Sequence, residues 1–218
     1  MIQHKYRLDM DMMFAIHDGL RRDLVQVARI AKDRDDSPGK LLHASRGWEF
    51  FKKFLEIHHT AEDEGLWPAV RAHAAGQPDQ LALVDALEAE HAGIDPLLAS
   101  VDSAAADPDY GYQRLSDCVD ELVTAVTAHL AHEESDGLAL MDVLLTPEEM
   151  RDFAKVHREL VGDDRIWYMP WLLEEASERT VAHIQGAFPE QFLATYRAKW
   201  GPDYAALNRW EADAKSKS

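Results

Sequence analysis

Cysteine is almost absent from this chain of 218 residues: Cys118 stands alone, so no internal disulfide can form and a disulfide-stapled fold is excluded. Basic residues are also scarce, 23 Lys and Arg against 40 Asp and Glu, for a formal net charge of −17. A surface of that sign repels phosphate, so neither nucleic acid nor an anionic membrane is an expected partner. No apolar run approaches the roughly 18 residues that a transmembrane helix needs. The opening MIQHKYRLDM lacks the apolar core of a secretory leader. Together these absences make a reducing cytoplasm the expected location.

What the chain does have is helical periodicity interrupted by metal-binding residue types. In WEFFKKFLEIHHTAEDEGLWPA, residues 48–69, Trp48, Phe51, Leu55, His58, Glu62, Gly65 and Ala69 recur in steps of three and four, the buried stripe of a bundle helix. His58 and Glu62 are one turn apart on that stripe, so an imidazole and a carboxylate point inward together. Leu115, Val119, Leu122, Val126, His129 and Glu133 repeat the rhythm. Val84, Leu87, His91, Ile94, Leu98 and Val101 form a third stripe, and Met13, His17, Leu20, Leu24, Val27 and Ala31 a fourth. Buried and unpaired, such groups would be costly. Four His and two Glu aimed at one core form instead a ligand set for two metal ions: His17, His58, Glu62, His91, His129 and Glu133.

The breakers between the stripes set the helices. The first is expected from Asp9 or Asp11 to about Lys32, before RDDSPG. The second is expected from Lys40 to His73 with a kink at Pro68, the third from about Asp79 to Asp102 with a bend at Pro96, and the fourth from Tyr110 to Glu134. Such short connections predict an all-α fold, an up-down-up-down four-helix bundle over residues 1–136. Residues 137–218 then form a helical, Trp-rich extension packed against it, with one helix opening at the cap TPEEM, two shorter ones in IWYMPWLLEEAS and EQFLATYRAKW, and a frayed tail. Four of the six Trp residues, Trp167, Trp171, Trp200 and Trp210, fall here, so the extension is expected to cover the bundle or to form a homodimer contact.

The remaining titratable residues read differently. His59 is about 100° around the helix from His58, beside Lys52, Glu56 and Asp63, and is expected on the polar face. His132 is off the stripe; His43, His73, His157 and His183 have no partner at ligand spacing and read as surface or packing residues. Glu64 and Glu134 read as solvated helix face, and Met10, Met12 and Met13 as packing at the bundle mouth. The pairs Glu56-x-x-His59 and Glu88-x-x-His91 offer an alternative, a ferritin-like di-iron carboxylate site. That site needs an inward Glu on each of the other helices, and the first helix has none between Met10 and Lys32.

In the order His17, His58/Glu62, His91, His129/Glu133, residues 9–135 resemble the hemerythrin-like, or HHE cation-binding, family. The resemblance implies a non-haem di-iron centre, oxo- or hydroxo-bridged, with the two carboxylates bridging and the histidines as terminal ligands; Mn or Zn are substitutes for Fe. Oxygen-carrying members have a further His one turn after the first on the third helix, where this chain has Asp95. The four-His set therefore leaves two coordination positions for a small ligand. The expected function is to bind or react with a small oxidant, O2, peroxide or NO, with a peroxide- or NO-consuming oxidoreductase as its enzymatic form. The alternative is an iron- or redox-sensing interaction protein whose C-terminal segment reports the state of the site.

Overall fold

The computed structural model describes residues 6–33, 37–107 and 111–211. It is all-α, an up-down-up-down bundle with helices of the extension packed on it, and contains no strand among the described residues. Helix α1 spans Asp11–Ala31. The second bundle segment is broken where a single helix was expected: α2, Pro38–Ala44, ends at Ser45, whose side chain caps α3, Arg46–Ala61, by accepting from the Trp48 amide at 3.0 Å. The break is fixed from outside. Gly47 donates its amide to the Arg209 carbonyl, and the Trp210 ring lies where a Cβ on Gly47 would have to go.

After α3 comes a π-turn, Glu62–Leu66, then α4, Trp67–His73. Pro68 is in the first turn of α4, where a missing amide proton costs nothing, and the irregularity of this segment is the π-turn before it. The extra residue moves the buried stripe forward: Leu66, Trp67 and Val70 are buried, while Gly65 and Ala69 are only half-buried. Helix α5, Pro78–Ala106, starts on Pro78 and remains one helix through Pro96. Helix α6, Gly111–His132, leads into a second π-turn, Glu133–Gly137, and α7, Leu138–Leu144, so the fourth segment continues past its expected end. Its expected start at Tyr110 lies outside the described residues.

In the extension, Thr146 forms a full capping box with Glu149 and opens α8, Pro147–Val161. A short 3-10 turn at Gly162–Asp164 leads to α9, Arg165–Leu173. Helix α10, Glu178–Gly186, occupies a stretch where no helix was expected; α11, Glu190–Thr195, a π-turn at Tyr196–Trp200 and α12, Gly201–Ala205, complete it. Of the tail EADAKSKS, expected to fray, all but Glu211 lies outside the described residues.

The aromatic surplus packs inward. Trp171 is fully buried with its ring 4.8 Å from Phe54, Tyr168 meets Phe54 edge-on at 5.0 Å, and Phe50 stacks on Trp167 and Tyr204. Polar ties hold the same face. The Trp171 indole donates to the buried Asp23 carboxylate at 2.8 Å, and Arg209 bridges Asp23, at 2.8 Å, and Glu174. Met10 and Met13 are buried with Leu8, Trp67, Leu138 and Met141 at the other end of the bundle. Among the described residues, no helix is long and apolar enough to cross a membrane.

Candidate metal centre

The bundle brings all six expected donors into its core. His17, His58, Glu62, His91, His129 and Glu133 are buried, on α1, α3, the first π-turn, α5, α6 and the second π-turn. Both glutamates are the first residue of a π-turn. Such turns displace a side chain from its helical phase, and they cluster at functional sites. Close packing secures the second one: a Cβ on Gly137 would come within 3.0 Å of the Glu133 side chain and 3.2 Å of Leu87.

The donor atoms fall into two groups. In one, His17, His58, Glu62 and Glu133 present atoms within 4.8 Å of one another; in the other, His59, His91 and His129 do so. Glu62 spans them, with Oε1 3.4 Å from His58 Nε2 and Oε2 3.4 Å from His91 Nε2. Glu133 Oε2 lies 3.2 Å from His17 Nε2, which approaches His58 Nε2 at 3.0 Å.

Behind the donors, carboxylates hold the rings. His17 Nδ1 donates to Glu134 at 2.8 Å, His91 Nδ1 to Asp63 at 2.9 Å and His129 Nδ1 to Glu90 at 2.9 Å, an oxygen of Glu90 also accepting from His132. A carboxylate only accepts, so each bond places a proton on Nδ1 and leaves the Nε2 lone pair for the centre. The tethers run around the bundle: each acid neighbours a donor in sequence and holds the histidine of a different helix. The circuit is open at His58, whose buried Nδ1 has no hydrogen-bond partner.

The buried groups fit bound metal better than they fit each other. Both oxygens of Glu62 and of Glu133, and Nε2 of His59, His91 and His129, are buried without a hydrogen-bond partner. Each such atom is expensive, and two adjoining carboxylates more so. Burial and the Glu133 carboxylate hold the Glu62 carboxyl well above its ordinary range. Burial works against charge on His17, but Glu133 and Glu134 outweigh it and lift His17 to about 9. Protons thus occupy the places of cations. Metal loading is therefore expected to release protons, from His17 and from Glu62, and apparent affinity to rise with pH towards about 9, where His17 deprotonates unaided. Calorimetric titration in buffers of different ionisation enthalpy measures that release; affinity independent of pH would contradict it.

The model of the hemerythrin HHE cation binding domain matches residues 8–141. The chain belongs to that family. Neither a curated protein nor a solved structure matches the chain significantly. As a hemerythrin-type helical domain it binds metal, and the His/Glu groups just described could hold it. Glu56 is exposed and Glu88 pairs with Arg71, so the inward carboxylates of the ferritin-like alternative are not in place.

His59 and Glu134 differ from expectation, whereas His43, His73, His157 and His183 are the surface or packing residues expected. His59 is buried rather than on a polar face, because α3 is covered on that side by α5 and α6. Glu134 is half-buried between His17 and Arg21, at 2.8 and 2.7 Å, instead of solvated. Asp95 is exposed on the wall of a cleft of about 640 Å³ that leads to His59 and His91, and belongs to neither donor group. His157 is buried and shares a hydrogen bond with the Tyr168 hydroxyl at 3.1 Å. His43 is exposed, and His73 and His183 pair with Glu149 and Asp9 at the surface. Sequence reasoning missed the tethers Asp63 and Glu90; their one signal is that each adjoins a donor, Glu62 and His91.

Proposed function

We propose that this hemerythrin-family protein is a non-haem di-iron protein that binds or reacts with a small oxidant, O2, peroxide or NO, in the bundle core. The observation that carries the reading is Glu62, a buried carboxylate with one oxygen towards each histidine group. His17 and His58, with Glu133, would hold one iron and His91 and His129 the other, with Glu62 within reach of both. When bound, an iron pair supplies one-electron redox steps and open positions for a small ligand. The protein's own contribution is positional: Glu134, Asp63 and Glu90 fix three imidazoles, and apolar clusters pack above and below the donors. Nitrogen and oxygen donors without thiolate suit iron or manganese.

Aerobically purified protein is expected to carry iron at both positions and a near-ultraviolet charge-transfer band, which responds to peroxide; reduction should bleach it, and O2 or NO should change the spectrum of the reduced protein. Iron-loaded protein inert to all of these would sink the reading.

A second reading, an iron- or redox-sensing interaction protein, draws on the packing of α8 against the first π-turn, where Val156 lies 3.3 Å from the Cβ position of Gly65. Metal-dependent protease resistance of residues 146–211 without turnover would favour it over the oxidant reading.

A further inference from the structure

His59 is a buried histidine beside the donors that the family pattern leaves without a task. It follows His58 directly and is only 7% exposed. Its ring lies parallel to His91, centroids 3.9 Å apart at 9°, and edge-on to His129 at 5.1 Å. His91 and His129 are themselves 4.6 Å apart and near-perpendicular. The His59 Nε2 is buried and has no hydrogen-bond partner. Packing alone is a poor account of such a ring, since an apolar side chain would fill the space without stranding a polar atom.

From this geometry we infer that His59 is a third nitrogen donor to the metal position of His91 and His129. The inference rests on the di-metal reading above. Donors on one ion lie at most about 4.2 Å apart, twice a metal–nitrogen bond of ~2.1 Å. The donor atoms of His59, His91 and His129 already lie within 4.8 Å of one another. The remaining adjustment is a turn of the His59 ring out of its stack. Two imidazoles that share an ion through in-plane lone pairs cannot lie in offset parallel planes, so the stack with His91 opens on ligation. The third nitrogen comes from the second bundle segment, one residue after His58, and Asp95 stays in solvent.

The consequence is asymmetry. The His91/His129 position gains a nitrogen and the His17/His58 position does not, so a small ligand binds on the His17/His58 side. The cleft beside His59 then opens onto the filled position.

The test titrates Co2+ into metal-free wild type, His59→Phe, which preserves the stacked ring, and His59→Gln, which preserves a polar side chain, with thermal unfolding of the metal-free proteins alongside. Wild type is expected to take up two ions. One binding step should weaken at least about 100-fold in both variants, more than the loss of an outer tether causes, with the other step unchanged. The visible spectrum of the weakened Co2+ should shift to that of a lower coordination number, and Asp95→Asn should bind as wild type does. Should one variant fail to fold, the other decides. Two ions bound as tightly in the folded variants as in wild type overturn the role of His59 and leave the di-metal reading standing. Wild type that takes up fewer than two ions overturns both.

Discussion

Glu62→Gln is expected to strip both metal ions from the protein, lowering apparent affinity at least about 100-fold, or about 2.7 kcal/mol, and to abolish the near-ultraviolet band. The reason is the position of the carboxylate: its two oxygens face His58 and His91, one in each donor group, each at 3.4 Å. An amide of the same shape offers one neutral oxygen and an NH2 that repels a cation. The same substitution is expected to leave the metal-free fold intact, because burial and Glu133 favour the neutral form of the Glu62 carboxyl and the amide resembles that form. The pH dependence separates the two effects. A carboxyl raised above its ordinary 4.5 adds stability at low pH that is lost as pH rises through the folded value. Metal-free wild type should therefore lose stability on going alkaline, and Glu62→Gln should lose less. Metal analysis and thermal melts across pH measure both; full metal occupancy in the variant would remove Glu62 from the centre.

The four stripes were legible because a packed helix must repeat its apolar positions every three or four residues, and a His or Glu in that register can only point inward. Hence the donors His17, His58, Glu62, His91, His129 and Glu133 could be placed by phase alone. The π-turns could not: one extra residue leaves no mark in composition, and it moves burial from Gly65 and Ala69 to Leu66, Trp67 and Val70. The tethers were hidden for a different reason. Asp63 and Glu134 belong to acidic runs, and Glu90 is a lone acid between Ala89 and His91; all three would be solvated on an isolated helix, and only a neighbouring helix gives each a histidine to hold. His59 falls in the same class. Angular position on its own helix said polar face, but the rings of His91 and His129 cover that face. Residues that act within one helix were readable; residues that act across a helix boundary were not.

The extension is joined to the bundle by such cross-boundary contacts, and Trp171→Ala is expected to have the largest effect on stability. The ring is fully buried against Phe54, and its indole N–H satisfies the buried Asp23 carboxylate at 2.8 Å. Loss of a buried Trp costs about 3–5 kcal/mol, and at about 2–4 °C per kcal/mol for a chain of this size the melting temperature should fall by about 6–20 °C. Gly19 shows whether the loss occurs at this contact. A Cβ there would lie 2.8 Å from the Trp171 ring, so Gly19→Ala alone forces α9 away from α1 and is expected to cost about 1–3 kcal/mol. With Trp171→Ala in place the clash disappears, and the same substitution should stabilise α1 by about 0.8–1.0 kcal/mol through helix propensity. A change of sign between the two backgrounds is the signature of direct contact. Additive effects in metal-free protein would mean that α9 does not rest on Gly19, and that the extension is attached elsewhere.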